Sequence, residues 1–225
     1  MRRIDNSDFN RNLIKRRDDL IRSFKFVNKL FEVDTDDYIK EYDVLSKEMT
    51  KTYQKMIECQ NKLNDLLQTI DKEKKNLRSQ TPIVVKVSPD IDDKEIKKIS
   101  EVLLSNNVAA VIVSNTSDST RDDLKNTQSY QKGGLSGKPI ELKSTELIGK
   151  FYNILKGRIK IIGVGGVDSG KSAYEKFLAG ANYVQLYTGM VFRGPNIVNL
   201  IKKELKELLL VDGVKNYSEI VGKTK

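Results

Sequence analysis

IKIIGVGGVDSGKSAYEKFLAGANYVQLYTG, residues 159–189, reads as strand, glycine turn, helix, glycine and strand. IKIIGV is short, apolar and β-branched, as a buried strand requires. GKSAYEKFLAG carries the spacing of a helix and stops at Gly180, and ANYVQLYTG is the next strand. Two apolar strands joined through a helix are parallel neighbours in one sheet. Between the first strand and the helix, Gly163, Gly165 and Gly166 place three glycines in four residues. Such a turn lets backbone N–H groups face an anion, and the positive end of the helix adds to it. A phosphate is the natural guest.

The same alternation extends in both directions. TPIVVKVSPD, from Thr81, is a strand stopped by Pro89, and Asp92-Asp93 caps a helix that reaches about Leu104. VAAVIVSN is a second strand, and a polar loop runs from Ser117 to Gly137. STELIGKFYNIL is a helix ended by Gly157, and IVNLIKKELKELLL is a long amphipathic helix. The pattern predicts an α/β fold of four β/α units with a parallel sheet. Sites in such sheets lie at the carboxyl ends of the strands. The residues at those ends are Lys86 to Asp90, Ser114 to Thr116, Gly163 to Asp168 and Tyr187 to Gly189. Lys86 in IVVKV is either an edge lysine reaching water or a buried cation that stabilises developing negative charge. Ser114-Asn115-Thr116 serves either capping and turns or a ligand.

Gly165-x-x-x-x-Gly170-Lys171-Ser172 also fits the letters of a P-loop, and Leu208 to Asp212 imitates a magnesium-binding strand end. That nucleotide-binding reading is the weakest of three. Leu208 to Asp212 ends an amphipathic helical pattern, and two β/α units precede a loop that normally opens its domain.

Residues 1–80 contain neither Gly nor Pro, so all 14 Gly and all 4 Pro lie after Thr81. A stretch without breakers reads as long helix. Met49, Met56, Leu63, Ile70 and Leu77 recur every seventh position, with Leu45, Thr52, Cys59 and Leu66 beside them. Upstream, Leu13, Leu20, Phe24, Val27 and Phe31 form another stripe, and Val33 to Asp37 offers caps between the two. The pattern predicts a helical hairpin or coiled coil over 1–80, preceding the α/β region over 81–225. It also predicts self-association or a helical partner through 1–80.

Composition removes several chemistries. There is no His, so a His-based triad, metal site or proton shuttle is excluded. A single Cys59 excludes an internal disulfide and a cysteine-rich zinc site, and no metal is expected. The net charge is +9, but Lys and Asp/Glu are interspersed, so no nucleic-acid surface is expected. No stretch suits a membrane span, and MRRIDNSDF suggests no export or transit peptide.

The α/β region resembles the class 2, quinone-type dihydroorotate dehydrogenases. The resemblance is carried by Ile83 to Asp90, Ile112 to Thr116, Gly133 to Pro139, Leu142 to Glu146 and Ile161 to Ser169. It continues through Glu175-Lys176, Ala179-Gly180-Ala181, Val184 to Gly189 and Phe192-x-Gly194-Pro195, all in order. Residues 1–80 more faintly resemble the KxDL-motif family of helical subunits, through Phe24, Asn28 and Leu30 and the run from Met56 to Pro82. There, Gln60-Asn61-Lys62-Leu63 stands where Lys-x-Asp-Leu belongs. The alternative reading it implies is a coiled-coil interaction protein with a degenerate half barrel.

The dehydrogenase resemblance implies FMN as cofactor and oxidation of dihydroorotate to orotate in pyrimidine biosynthesis. Lys86 would contact the flavin ring and stabilise its reduced anion. Ser114 and Gly137 would line the flavin, and Gly166, Tyr187 and Thr188 would hold its phosphate. Asn115 and Thr116 would bind the orotate-like substrate. Ser114 and Thr188 stand where relatives often carry Thr and Ser, and each keeps the hydroxyl. The four strands correspond to the second half of an eight-stranded TIM-type barrel. The early flavin loop, the catalytic serine base and the quinone-admitting helices have no counterpart in 1–80, so no catalytic base is assigned. A half barrel leaves raw sheet edges, which predicts self-association or pairing with a chain that carries the first half. The resemblance further implies membrane association: the mitochondrial inner membrane in a eukaryote, the cytoplasmic membrane in a bacterium.

Overall fold

The computed structural model describes Lys15, Asp18, Arg22 and residues 36–118, 121, 124, 129 and 131–223. The chain divides into two compact units, residues 1–70 and 71–225.

Helix α1 spans Asp36–Asn76. With no glycine available, it closes on Arg78 in the left-handed region (φ 51°), while the Ser79 amide donates to the Lys74 carbonyl at 2.8 Å. The upstream stripe from Leu13 to Phe31, and with it the first arm of the expected hairpin, lies outside the described residues. The expected coiled-coil seam is covered only in part among the described residues. Leu45, Leu66 and Leu77 are 52%, 56% and 77% exposed, and Cys59 is exposed. Gln60 and Leu67 are buried instead, and Leu63, Asn64, Ile70, Asp71 and Lys74 are half-buried. These positions fall three, four and seven residues apart. That is the spacing of one amphipathic helix face, and Leu63 and Ile70 of the expected seam belong to it.

The second unit continues with β1 (Ile83–Val87), α2 (Asp93–Ser105), β2 (Val108–Val113), α3 (Glu141–Leu155), β3 (Lys160–Val164), α4 (Gly170–Ala179), β4 (Tyr183–Gln185), α5 (Thr188–Arg193) and α6 (Ile197–Val211). The four strands stand in the order β1-β2-β3-β4, and every pair is parallel. This is the expected α/β architecture of four β/α units. The helices start where the sequence places caps. Asp92 and Glu95 form a reciprocal capping box on α2, and Ser169 and Ser172 form one on α4.

Register puts Lys86, Ile112, Ile162 and Tyr183 side by side on one face of the sheet. Lys86 and Tyr183 are exposed there. The next row, Val87, Val113, Gly163 and Val184, turns the other way, and its first three members are buried. Beneath the sheet, Leu147, Ile148, Phe151 and Leu155 of α3 are buried together with Val111 and Ile161. Val167, Ala173, Phe177, Ile197, Ile201, Leu209 and Ile220 make a second cluster under α4 and α6.

Two expectations shift in detail. The strand expected over ANYVQLYTG is paired only over Tyr183–Gln185, because the ladder to β3 ends at Val164, where the Gly165-Gly166 turn departs. Thr188 then opens the short helix α5, which the apolar alternation had masked. β1 and β4 each pair on one side among the described residues.

Candidate functional site

A cavity of about 900 Å³ opens at the carboxyl ends of the four strands. Lys86, Ser114, Asn115, Thr116, Gly137, Gly166, Tyr187 and Thr188 all line it. The eight residues singled out from the sequence therefore meet at one place. Val164 and Asp168, from the strand-end segment Gly163 to Asp168, line it too, and so do Ser136, Lys138, Ile140, Gln185, Phe192 and Arg193, to which the sequence assigned no role. Ser136, Lys138, Asp168, Gln185 and Phe192 lie inside the motifs that carry the family resemblance, which is the signal that could have found them.

Each wall has a local cause. Lys86 is the penultimate residue of β1, an edge strand among the described residues, and it is exposed where it lines the cavity. An edge position leaves it no cover on the outer side among the described residues, so of its two sequence readings the structure has the edge lysine. Ser114 is buried, with its amide donating to the Val164 carbonyl at 3.1 Å. The Asn115 amide donates to the Val87 carbonyl at 2.8 Å, so the ends of β1, β2 and β3 are tied together at the rim. Ser117 and Leu135 exchange backbone hydrogen bonds of 3.0 and 2.7 Å. That bridge lays the Gly133-Gly134 segment against Thr116, where a side chain at Gly134 would collide with the Thr116 hydroxyl.

The glycine positions have steric reasons that the sequence could only suggest. Gly137 has φ +76°, and a Cβ there would lie 2.8 Å from Thr188 Cγ2. Gly166 also has φ +76°, and a Cβ there would lie 2.8 Å from the Glu141 Cα. The backbone at both positions is thus brought close to its neighbours with its amides unscreened by a side chain. Thr188 Oγ1 donates to Ser136 Oγ at 3.0 Å, joining the loop before α3 to the end of β4. The lining therefore offers the ammonium groups of Lys86 and Lys138, the Arg193 guanidinium, the Asp168 carboxylate, several hydroxyls, a glycine turn and the apolar Ile140, Val164, Val167, Leu186 and Phe192. Such a donor set and volume fit a phosphate-bearing planar ligand of nucleotide size.

Asp90, just beyond β1, anchors the loops. It accepts from Ser117 Oγ at 2.7 Å and from the Asp118 amide at 2.7 Å, and it pairs with Lys143. Burial alone would raise its pKa. The bonds from Lys143, Ser117 and Asp118, with the Lys143 charge, outweigh that and hold the carboxyl at about 2.

The P-loop alternative meets a specific obstacle. The Gly170 amide at the start of α4 donates to Glu204 Oε2 at 2.5 Å, so a carboxylate already occupies the place a phosphate would take. Lys171 is 81% exposed beside Glu175. Leu208 to Val211 is the end of helix α6, with Asp212 as its C-cap, as the amphipathic pattern requires.

A parallel β/α sheet with its cavity at the carboxyl strand ends is the construction of a TIM-type barrel enzyme. The chain matches the dihydroorotate dehydrogenase family over residues 36–209 and belongs to that family. It is 42% identical to the dihydroorotate dehydrogenase (quinone) of Azorhizobium caulinodans over 144 residues, 64% of this chain and 40% of that one. It is 36% identical to the mitochondrial dihydroorotate dehydrogenase (quinone) of Arabidopsis thaliana over 173 residues, 75% of this chain and 38% of that one. Its fold superimposes on the Eimeria tenella dihydroorotate dehydrogenase solved with ferulenol at a TM-score of 0.70 and 29% identity, covering 73% of this chain and 48% of the other. The chain thus spans about 40% of the length of the curated relatives it matches. The match begins at residue 36, inside α1, and so takes in the helix that resembled the KxDL-motif family. The helical-subunit alternative is not supported.

Proposed function

We propose that residues 81–225 form the flavin-phosphate half of a dihydroorotate-oxidising barrel that binds FMN, preceded by a helical region over 1–80. The observation that carries this is the convergence of Lys86, Ser114, Asn115, Thr116, Gly137, Gly166, Tyr187 and Thr188 on one cavity. Gly166, Tyr187 and Thr188 hold the FMN phosphate. Gly137 and Ser114 line the flavin ring, and Lys86 holds negative charge at its edge. Asn115 and Thr116 orient the dihydroorotate ring by hydrogen bonds. Bound FMN supplies a hydride acceptor, and the chain's own residues supply placement and charge.

We assign no proton-abstracting base within this chain. The relatives' names give quinone as electron acceptor, and we propose the same acceptor for the assembled enzyme. No helix among the described residues is long and apolar enough to cross a membrane. Membrane association, mitochondrial if the source is a eukaryote, therefore falls to a peripheral contact or to another segment. The exposed row of Lys86 and Tyr183 and the two single-sided edges favour pairing with a second half barrel, from another copy or from a chain carrying the first four units. The test is the flavin itself. Purified protein incubated with FMN and desalted is expected to retain flavin absorbance. A colourless protein that takes up no added FMN refutes the reading.

A further inference from the structure

Lys176 is a buried cation that the flavin reading leaves unused. It sits in α4 at 0% exposure, the sole buried Lys or Arg side chain among the described residues. Its stem fills the space beneath β3: a Cβ at Gly163 would lie 3.2 Å from Lys176 Cδ. Its ammonium donates to Ser144 Oγ at 3.1 Å and to Thr145 Oγ1 at 3.1 Å, both on α3. No carboxylate lies within ion-pair distance of it among the described residues. Burial is the main influence on it and pulls its pKa down to about 8, opposed by the charges of Glu141 and Glu175. A buried ammonium without an ion-pair partner costs stability. Its retention therefore asks for a role beyond packing.

The hydrogen bonds give it one. An ammonium has donors and no acceptor, so at Ser144 the hydroxyl must accept from Lys176 and turn its own hydrogen elsewhere. That hydrogen goes to the Val164 carbonyl at 2.6 Å. The same carbonyl accepts the Ser114 amide. Val164 is the last residue of β3, immediately before Gly165-Gly166, and a Cβ at Gly165 would lie 3.1 Å from Ser144 Cβ. Ser144 is therefore the contact through which α3 seats the glycine turn.

We propose that Lys176 is a positioning residue for that phosphate-binding turn, acting through Ser144 on the Val164 carbonyl. The inference rests on the flavin reading above. It concerns the phosphate end of the ligand alone, and this separates it from general support of the fold.

The test compares FMN with riboflavin, which lacks the phosphate, by fluorescence titration of the full chain. Lys176→Met and Ser144→Ala are each expected to weaken FMN binding about tenfold, the scale of one charge-assisted hydrogen bond, and to leave riboflavin unchanged. The double variant is expected to lose no more than either single one, because both act through one chain of contacts. Equal losses for the two flavins in a variant no less stable to heat than wild type, or no loss for either, overturn the inference. If Lys176→Met does not fold, Ser144→Ala alone decides by the same ratio. A wild-type chain that binds neither flavin refutes the flavin reading, and this inference with it.

Discussion

Replacing Lys176 by methionine is expected to stabilise the protein at neutral pH, and the gain is expected to shrink as pH rises. In the folded protein the ammonium has its pKa at about 8, against an ordinary 10.5. By linkage that difference is a penalty of roughly 3 kcal/mol while the group is charged in both states. Between those two values the unfolded chain binds more protons than the folded one, so stability rises with pH across this window. Below pH 8 the penalty stands in full; above 10.5 it is gone. The charged groups acting on Lys176 are Glu141, itself paired with Lys138 at 2.8 Å, and Glu175. Methionine has similar length and no charge, and it strands no hydroxyl. Each hydroxyl still has an acceptor in reach, the Val164 carbonyl for Ser144 and the Glu141 carbonyl for Thr145 at 2.8 Å, although without the ammonium the Ser144 hydroxyl is no longer fixed on Val164. Allowing for the two lost hydrogen bonds, Lys176→Met is expected to gain about 1–2 kcal/mol at pH 7. Urea unfolding of both proteins at pH 7, 8, 9 and 10, at constant ionic strength, measures the gap between them. A gap that does not narrow with pH, or a variant less stable than wild type at pH 7, refutes the reasoning.

Two further outcomes follow from the rim of the cavity. Asp90 has its carboxyl held at about 2, below the ordinary 3.8, so its contribution is present above pH 3.8 and is lost as pH falls towards 2. With its side chain 25% exposed, that contribution is discounted for solvent screening to roughly 1 kcal/mol. Asp90→Asn should remove this component from the acid limb of the unfolding profile, and an unchanged limb would contradict the assignment. Gly166→Ala places a methyl group on the Glu141 backbone at a φ of +76°. It is expected to destabilise by about 1–3 kcal/mol and to weaken FMN binding; calorimetry and flavin titration showing neither effect would refute the close-packed turn.

Several features are local, and the sequence determined them alone. The four strands, their parallel arrangement and the helices between them follow from short β-branched runs, a cap at Asp92-Asp93, and glycines at the turns. The P-loop letters were also separable by pattern, since Leu208 to Asp212 has helical spacing. Other features are properties of approach between distant segments. The heptad letters of α1 marked Leu63 and Ile70, which are half-buried, but gave no sign of the buried Gln60, because a repeating apolar position does not say which side of a helix meets a neighbour. Lys86 could be buried or exposed until β1 was found at a sheet edge. Glu204 reaching the Gly170 amide, Thr188 reaching Ser136, and Lys176 reaching Ser144 each join residues more than thirty positions apart. No local propensity encodes such pairings. They exist because packing the helices against the sheet brings α6 to the start of α4, the loop before α3 to the end of β4, and α4 against α3. The sequence thus marked which residues form the phosphate end of the cavity. Tertiary structure decided that a buried lysine lies behind it, because desolvation and hydrogen-bond direction arise only once the chain has closed around the side chain.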